Sequence, residues 1–165
     1  MDVSRMQESE SIAVSLSLAV PLPAAYGAAS ADAQVTLSGS IEKNKKEYRF
    51  VGEAKASFSM QCARCLRAVP VSLAFGLDER FAEEPGGDED FWPLMSRNVD
   101  FMPVVLDNLL PSLPAKTLCA EECKGLCRQC GADLNDNVCG CNNDLGDERF
   151  AVLKQWFSDE DTDTI

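Results

Sequence analysis

Cys119-Ala-Glu-Glu-Cys123-Lys-Gly-Leu-Cys127-Arg-Gln-Cys130-Gly-Ala-Asp-Leu-Asn-Asp-Asn-Val-Cys139-Gly-Cys141 holds six of the eight cysteines of this chain, and the other two form Cys62-Ala-Arg-Cys65 far upstream. In Cys127-Arg-Gln-Cys130 followed by Gly131, the backbone turns its N–H groups towards the two sulfurs, and glycine accepts the positive φ that such a turn often needs. Together with the Cys139-Gly-Cys141 pair, this turn offers four thiolates for a tetrahedral zinc. Local spacing therefore assigns Cys127, Cys130, Cys139 and Cys141 to one structural zinc site. Cys62, Cys65, Cys119 and Cys123 form a second site if the upstream pair reaches the start of the segment.

An even cysteine count also admits disulfides. A chain of 165 residues is long enough to build a core without covalent staples. Tight Cys-x-x-Cys and Cys-x-Cys pairs beside glycine suit a metal better than four separate bridges. Disulfide or redox chemistry stays open as an alternative, and so does an iron–sulfur cluster, because cysteine spacing does not exclude iron.

Composition narrows the function. The net charge is −12 with a pI near 4.4, which opposes non-specific binding to nucleic acid, since that depends on Lys and Arg meeting phosphates. Histidine is absent. That removes the commonest general base, the Ser-His-Asp and Cys-His arrangements, and the histidine-ligated zinc hydrolases. No apolar run is long enough to cross a bilayer. The stretch from Ile12 to Val20 is broken by serines and follows Asp2, Glu8 and Glu10 rather than a basic region, so it reads as a strand and not a signal peptide. The expected compartment is the cytoplasm, where thiols stay reduced and available to metal.

Outward from the cysteines, the first half of the chain alternates with period two. Ile12, Val14, Leu16, Leu18 and Val20 share a face opposite Ser11, Ser15 and Ser17. Val35, Leu37 and Ile41 alternate again, and Lys43 to Lys46 reads as a polar turn. Tyr48, Phe50, Gly52, Ala54, Ala56, Phe58 and Met60 predict a long strand, and Val69, Val71, Leu73, Phe75 and Leu77 another, with Cys62 and Cys65 at the hairpin tip between them. Residues 83–90 form an acidic Pro/Gly loop, after which Phe91 and Trp92 read as core. Asp100 is suited to cap a helix with Phe101, Met102, Val105, Leu106, Leu109, Leu110 and Leu113 on one stripe, ended by Pro111 and Pro114. Phe150, Val152, Leu153, Trp156 and Phe157 suggest a short helix after Asp147. The expected fold is α+β: a strand-rich antiparallel sheet or partial barrel with one main helix, a cysteine zinc knuckle and a short C-terminal helix. It is read as a single domain, with a strand-rich part over 12–81, the helices and knuckle over 100–157, and flexible tails at 1–11 and 158–165.

These residues resemble the bacterial and plastid YceD family, described as large ribosomal RNA subunit accumulation proteins. Cys62-Ala-Arg-Cys65-Leu66 is similar to the family's Cys-x-Arg-Cys-Leu. Cys123-Lys-Gly-Leu-Cys127, Cys130-Gly131 and Leu134-Asn135 are similar to its most distinctive segment, followed in order by Cys139-x-Cys141 and by Asp147, Arg149, Ala151 and Leu153. The resemblance runs from about Val35 to Phe157, specific in the cysteines and loose in the strands. Arg128 stands where proline is usual, and Asp133 where asparagine is usual. Other branches of the family lack many of these cysteines, so the resemblance makes the metal a structural addition. It implies a role in accumulation or maturation of large-subunit (23S) ribosomal RNA, with precursor ribosomal RNA or ribosome-assembly proteins as partners.

The expectation is thus a non-catalytic ribosome-biogenesis factor, set against a thiol redox protein or a zinc-dependent enzyme. Four thiolates on one zinc leave no open position for water, which suits a structural metal. Arg64 and Arg67 flank the first cysteine pair, and Lys116, Lys124 and Arg128 surround the second cluster. If one metal joins the two segments, these five side chains converge as a contact face for RNA or a protein partner, although they also serve simply to offset thiolate charge.

Overall fold

Period-two alternation places every second side chain on one side of an extended backbone. In the computed structural model, which describes residues 1–83, 91–94 and 96–141, this pattern becomes four long strands. They are β1 (Ser11–Pro21), β2 (Asp32–Asn44), β3 (Glu47–Gln61) and β4 (Ala68–Ala82), each antiparallel to the next. Register follows the apolar set: Leu16 faces Leu37, Leu37 faces Ala54, and Ala54 faces Phe75. A one-residue slip would turn that whole set outward. A short β5 (Phe91–Pro93) joins β4 in parallel, so the sheet is mixed rather than wholly antiparallel.

Helix α1 (Phe101–Ser112) covers the apolar side of the sheet. The Asp100 side chain accepts the Met102 N–H at 2.9 Å, as a capping carboxylate does. The buried residues of the helix are Phe101, Val104, Val105 and Leu109, while Met102, Leu106 and Leu113 are half-buried. Pro111 lies within the last turn rather than beyond it, and Ser112 ends the helix. The helix touches both β1 and β4, which are not neighbours, so the sheet curls around it as a half-barrel. Phe101 meets Phe50 and Phe81 edge-on, with ring centroids 4.9 and 5.9 Å away. Glu79 ties the sheet to its neighbours, accepting Trp92 Nε1 and Asn108 Nδ2 at 2.8 Å each. Trp92 is half-buried and packs on the core, and Phe91 is half-buried beneath the Arg80 guanidinium.

The N-terminal residues, expected as a flexible tail, are packed. Val3 and Met6 are buried in the core, the Met1 amino group donates to Val99 O at 2.7 Å, and Val3 N–H donates to Arg97 O at 3.0 Å. Two isolated apolar residues carry no periodicity, so nothing in the sequence marked them.

The chain forms two compact units. The strands and α1 belong to the first, Met1–Cys62 with Arg67–Cys119; the second is Ala63–Leu66 with the chain from Ala120 onward. The division thus falls elsewhere than between the strand-rich half and a following helical half: α1 goes with the strands, and the hairpin tip goes with the cysteines. The acidic stretch 84–90, the expected C-terminal helix and the tail lie outside the described residues.

Candidate metal centres

Tight spacing fixes which sulfurs can meet. The sulfurs of Cys127, Cys130, Cys139 and Cys141 all lie within 4.8 Å of one another, and so do those of Cys62, Cys65, Cys119 and Cys123. Thiolates around one zinc at about 2.3 Å stand about 3.8 Å apart at tetrahedral corners, so both sets match the size of a four-sulfur site. Each could hold a metal ion.

The knuckle is built from backbone. Cys127 N–H donates to Ala132 O at 2.8 Å and Gly131 N–H to Cys127 O at 2.9 Å, with Gly131 at φ 72°. This turn aims the N–H groups of Cys130 and Gln129 at Cys127 Sγ. These hydrogen bonds, Cys130 first, hold its thiol at about 6, well below the ordinary 9.0. Cys141 is pushed up to about 12, chiefly by its hydrogen bond to the Cys130 sulfur and then by burial. At Cys139 the Cys141 N–H favours the thiolate, but the neighbouring Cys127 sulfur and burial outweigh it and raise the thiol. Four sulfurs this close cannot all ionise without a cation among them.

The segment before the knuckle is held to the hairpin tip within the second unit. Leu126 N–H donates to Arg64 O at 3.1 Å, and Arg64 Nη1 donates to the carbonyls of Glu121 at 3.0 Å and Cys123 at 2.8 Å. Gly125, at φ 78°, lies so close that a Cβ there would stand 2.9 Å from Arg64 O. Asn135 is the other organiser, and sequence reasoning gave it no role beyond its place in a motif. Its Oδ1 accepts Lys124 N–H at 2.8 Å, and its Nδ2 donates to Cys123 Sγ at 3.5 Å and to Asp133 Oδ1 at 2.7 Å. In the first cysteine set, Cys119 N–H donates to Cys62 Sγ at 3.4 Å.

The five cations read from the sequence are all exposed. Arg64, Lys124 and Arg128 belong to the second unit, and Arg67 and Lys116 to the first. Arg64 is committed to backbone carbonyls and so positions the cysteine loop.

A family model described as Large ribosomal RNA subunit accumulation protein YceD matches residues 50–156. The chain is 23% identical over 151 residues to the Large ribosomal RNA subunit accumulation protein YCED homolog 1, chloroplastic, of Arabidopsis thaliana, covering 72% of this chain and 47% of that protein. It is 27% identical over 131 residues to the Uncharacterized protein Rv2926c of Mycobacterium tuberculosis, covering 76% and 62% respectively. It thus spans between about half and three-fifths of the length of these relatives. No solved structure matches.

Proposed function

The chain belongs to the YceD family, and from that premise we propose that it is a non-catalytic factor supporting accumulation or processing of large-subunit (23S) ribosomal RNA. The observation that carries this reading is the match of residues 50–156 to the family model described as Large ribosomal RNA subunit accumulation protein YceD. We assign zinc to both sulfur sets. All-thiolate coordination is soft, closed and without redox or open coordination positions, so the metal acts as structure. Its partners are precursor ribosomal RNA or assembly proteins, with Lys124 and Arg128 assigned to that contact, along with Arg67 and Lys116. No helix among the described residues is long and apolar enough to cross a membrane, and we place the protein in the cytoplasm, where free thiolates persist.

The test is genetic and elemental. Cells lacking the chain should lose 23S relative to 16S RNA and regain it with the wild-type protein; an unchanged ratio overturns the reading. Protein purified without chelator should carry two zinc ions per chain. The thiol held at about 6 on Cys127 favours a second reading, a redox protein. Metal-free protein that cycles at a defined reduction potential would select it.

A further inference from the structure

The cations of this acidic chain are not evenly spread, and one group gathers away from the cysteines, at the turn between β2 and β3. A groove of about 560 Å³ opens there, lined by Lys43, Lys45, Lys46 and Arg97, four of the 15 Lys and Arg residues of the chain. Among the described lining residues Glu47 and Glu83 oppose them, which leaves an excess of two positive charges in that set. Part of the wall is apolar, from buried Tyr48 and half-buried Phe91. Lys43 is fixed in place, donating to Met6 O at 2.7 Å with its Nζ 5.7 Å from the Tyr48 ring centre. Arg97 Nε is 3.1 Å from Glu83 Oε1. Lys45 and Lys46 are exposed on the turn itself.

The backbone beneath these cations is strained. Asn44 pairs with Glu47, so Lys45 and Lys46 make a two-residue hairpin turn, and Lys45 has φ 56°. Glycine or asparagine adopts that conformation far more readily than lysine. Arg97 has φ 62°.

We propose that this groove binds a nucleotide, free or within single-stranded RNA, with phosphate on Lys45, Lys46 and Arg97 and the base against Tyr48 and Phe91. The volume falls in the range of small-molecule sites. Cations for the backbone beside an aromatic wall for the base are the two components of single-strand recognition. The site lies in the strand-bearing unit, among residues that carry no cysteine and no role in the ribosomal reading above.

The test uses the full, metal-loaded chain. Amide NMR shifts are followed with inorganic phosphate, with UMP and AMP, and with a ten-nucleotide single-stranded RNA, whose affinity is measured by fluorescence anisotropy. Shifts should centre on residues 43–48 and 97. Lys45→Glu with Lys46→Glu should weaken RNA binding at least about tenfold and flatten its salt dependence, while Lys55→Glu, an exposed position of β3 outside the groove, leaves both unchanged. Mononucleotides moving the same amides would point to a free nucleotide, and shifts with the oligomer alone to RNA; either supports the groove. The proposal is overturned by shifts elsewhere, by no shift with any probe, by inorganic phosphate binding as well as UMP, or by undiminished binding in the Lys45/Lys46 variant. None of these outcomes touches the 23S reading, which is judged by RNA levels in cells.

Discussion

The two units solve the problem of stability by different means. In the strand-bearing unit the buried side chains are Val, Leu, Ile, Phe, Met and Ala, with Tyr48 among them, and the only buried cysteine, Cys62, stands at its boundary. Among the described residues of the second unit, the buried ones are Cys65, Cys123, Gly125 and Cys127, while Leu66 and Val138 are exposed. Among the described residues, one unit has an apolar core and the other a centre made of sulfur. Residues 120–141 bury so little apolar surface that an ion bound by their sulfurs would supply what a core does elsewhere.

Metal removal should separate the units most sharply. Structural zinc contributes on the order of 10 kcal/mol to small metal-folded modules. Strong chelation, or Cys127→Ser with Cys139→Ser, should therefore expose the amides of 120–141 to rapid hydrogen exchange while those of β2 and β3 stay protected. Exchange of the whole chain together would break the comparison. The reciprocal variant, Phe50→Ala, empties a fully buried position and should destabilise the strand unit by about 3–5 kcal/mol with zinc content unchanged. Zinc lost along with Phe50 would mean that the two means of stabilisation are not independent.

Acid should act on the second unit first. Cys141 is raised to about 12 and Cys139 is also raised, so both carry protons near neutrality and metal must displace them. Apparent zinc affinity of the knuckle should fall about a hundredfold or more per unit of pH lost there. Below about 6, Cys127 is protonated as well and the fall should steepen. Competition with a chelator of known affinity across pH would measure it, and a flat profile would exclude thiolate ligation. The smallest effect is expected at Asn135. Asn135→Ala removes the donor to Cys123 Sγ and the acceptor for Lys124 N–H, and should weaken metal binding about tenfold, as outer partners of ligands do. Unaltered affinity would limit Asn135 to shaping the turn.

Much of the strand unit was legible because period-two alternation is a local property. Val35, Leu37 and Ile41 announce an inward face whatever they pack against, and Asp100 announces a helix start. Val3 and Met6 were not legible, since a buried position outside any repeat leaves no pattern. The parallel pairing of β5 was equally hidden: three residues are too few for periodicity, and direction depends on where the preceding loop returns.

For the cysteines, sequence by itself determined the donor type and the pairing of near neighbours, because residues two or three apart cannot separate. It also determined that four sulfurs at a site leave nothing for histidine to do. Only the tertiary structure decided that Arg64 and Asn135 orient the loop, and that Lys45 and Arg97 line one groove across some 50 residues of chain. The reason is physical. Spacing along the backbone bounds distance only over a few residues; beyond that, proximity is set by strand register and turn geometry, which no single segment encodes.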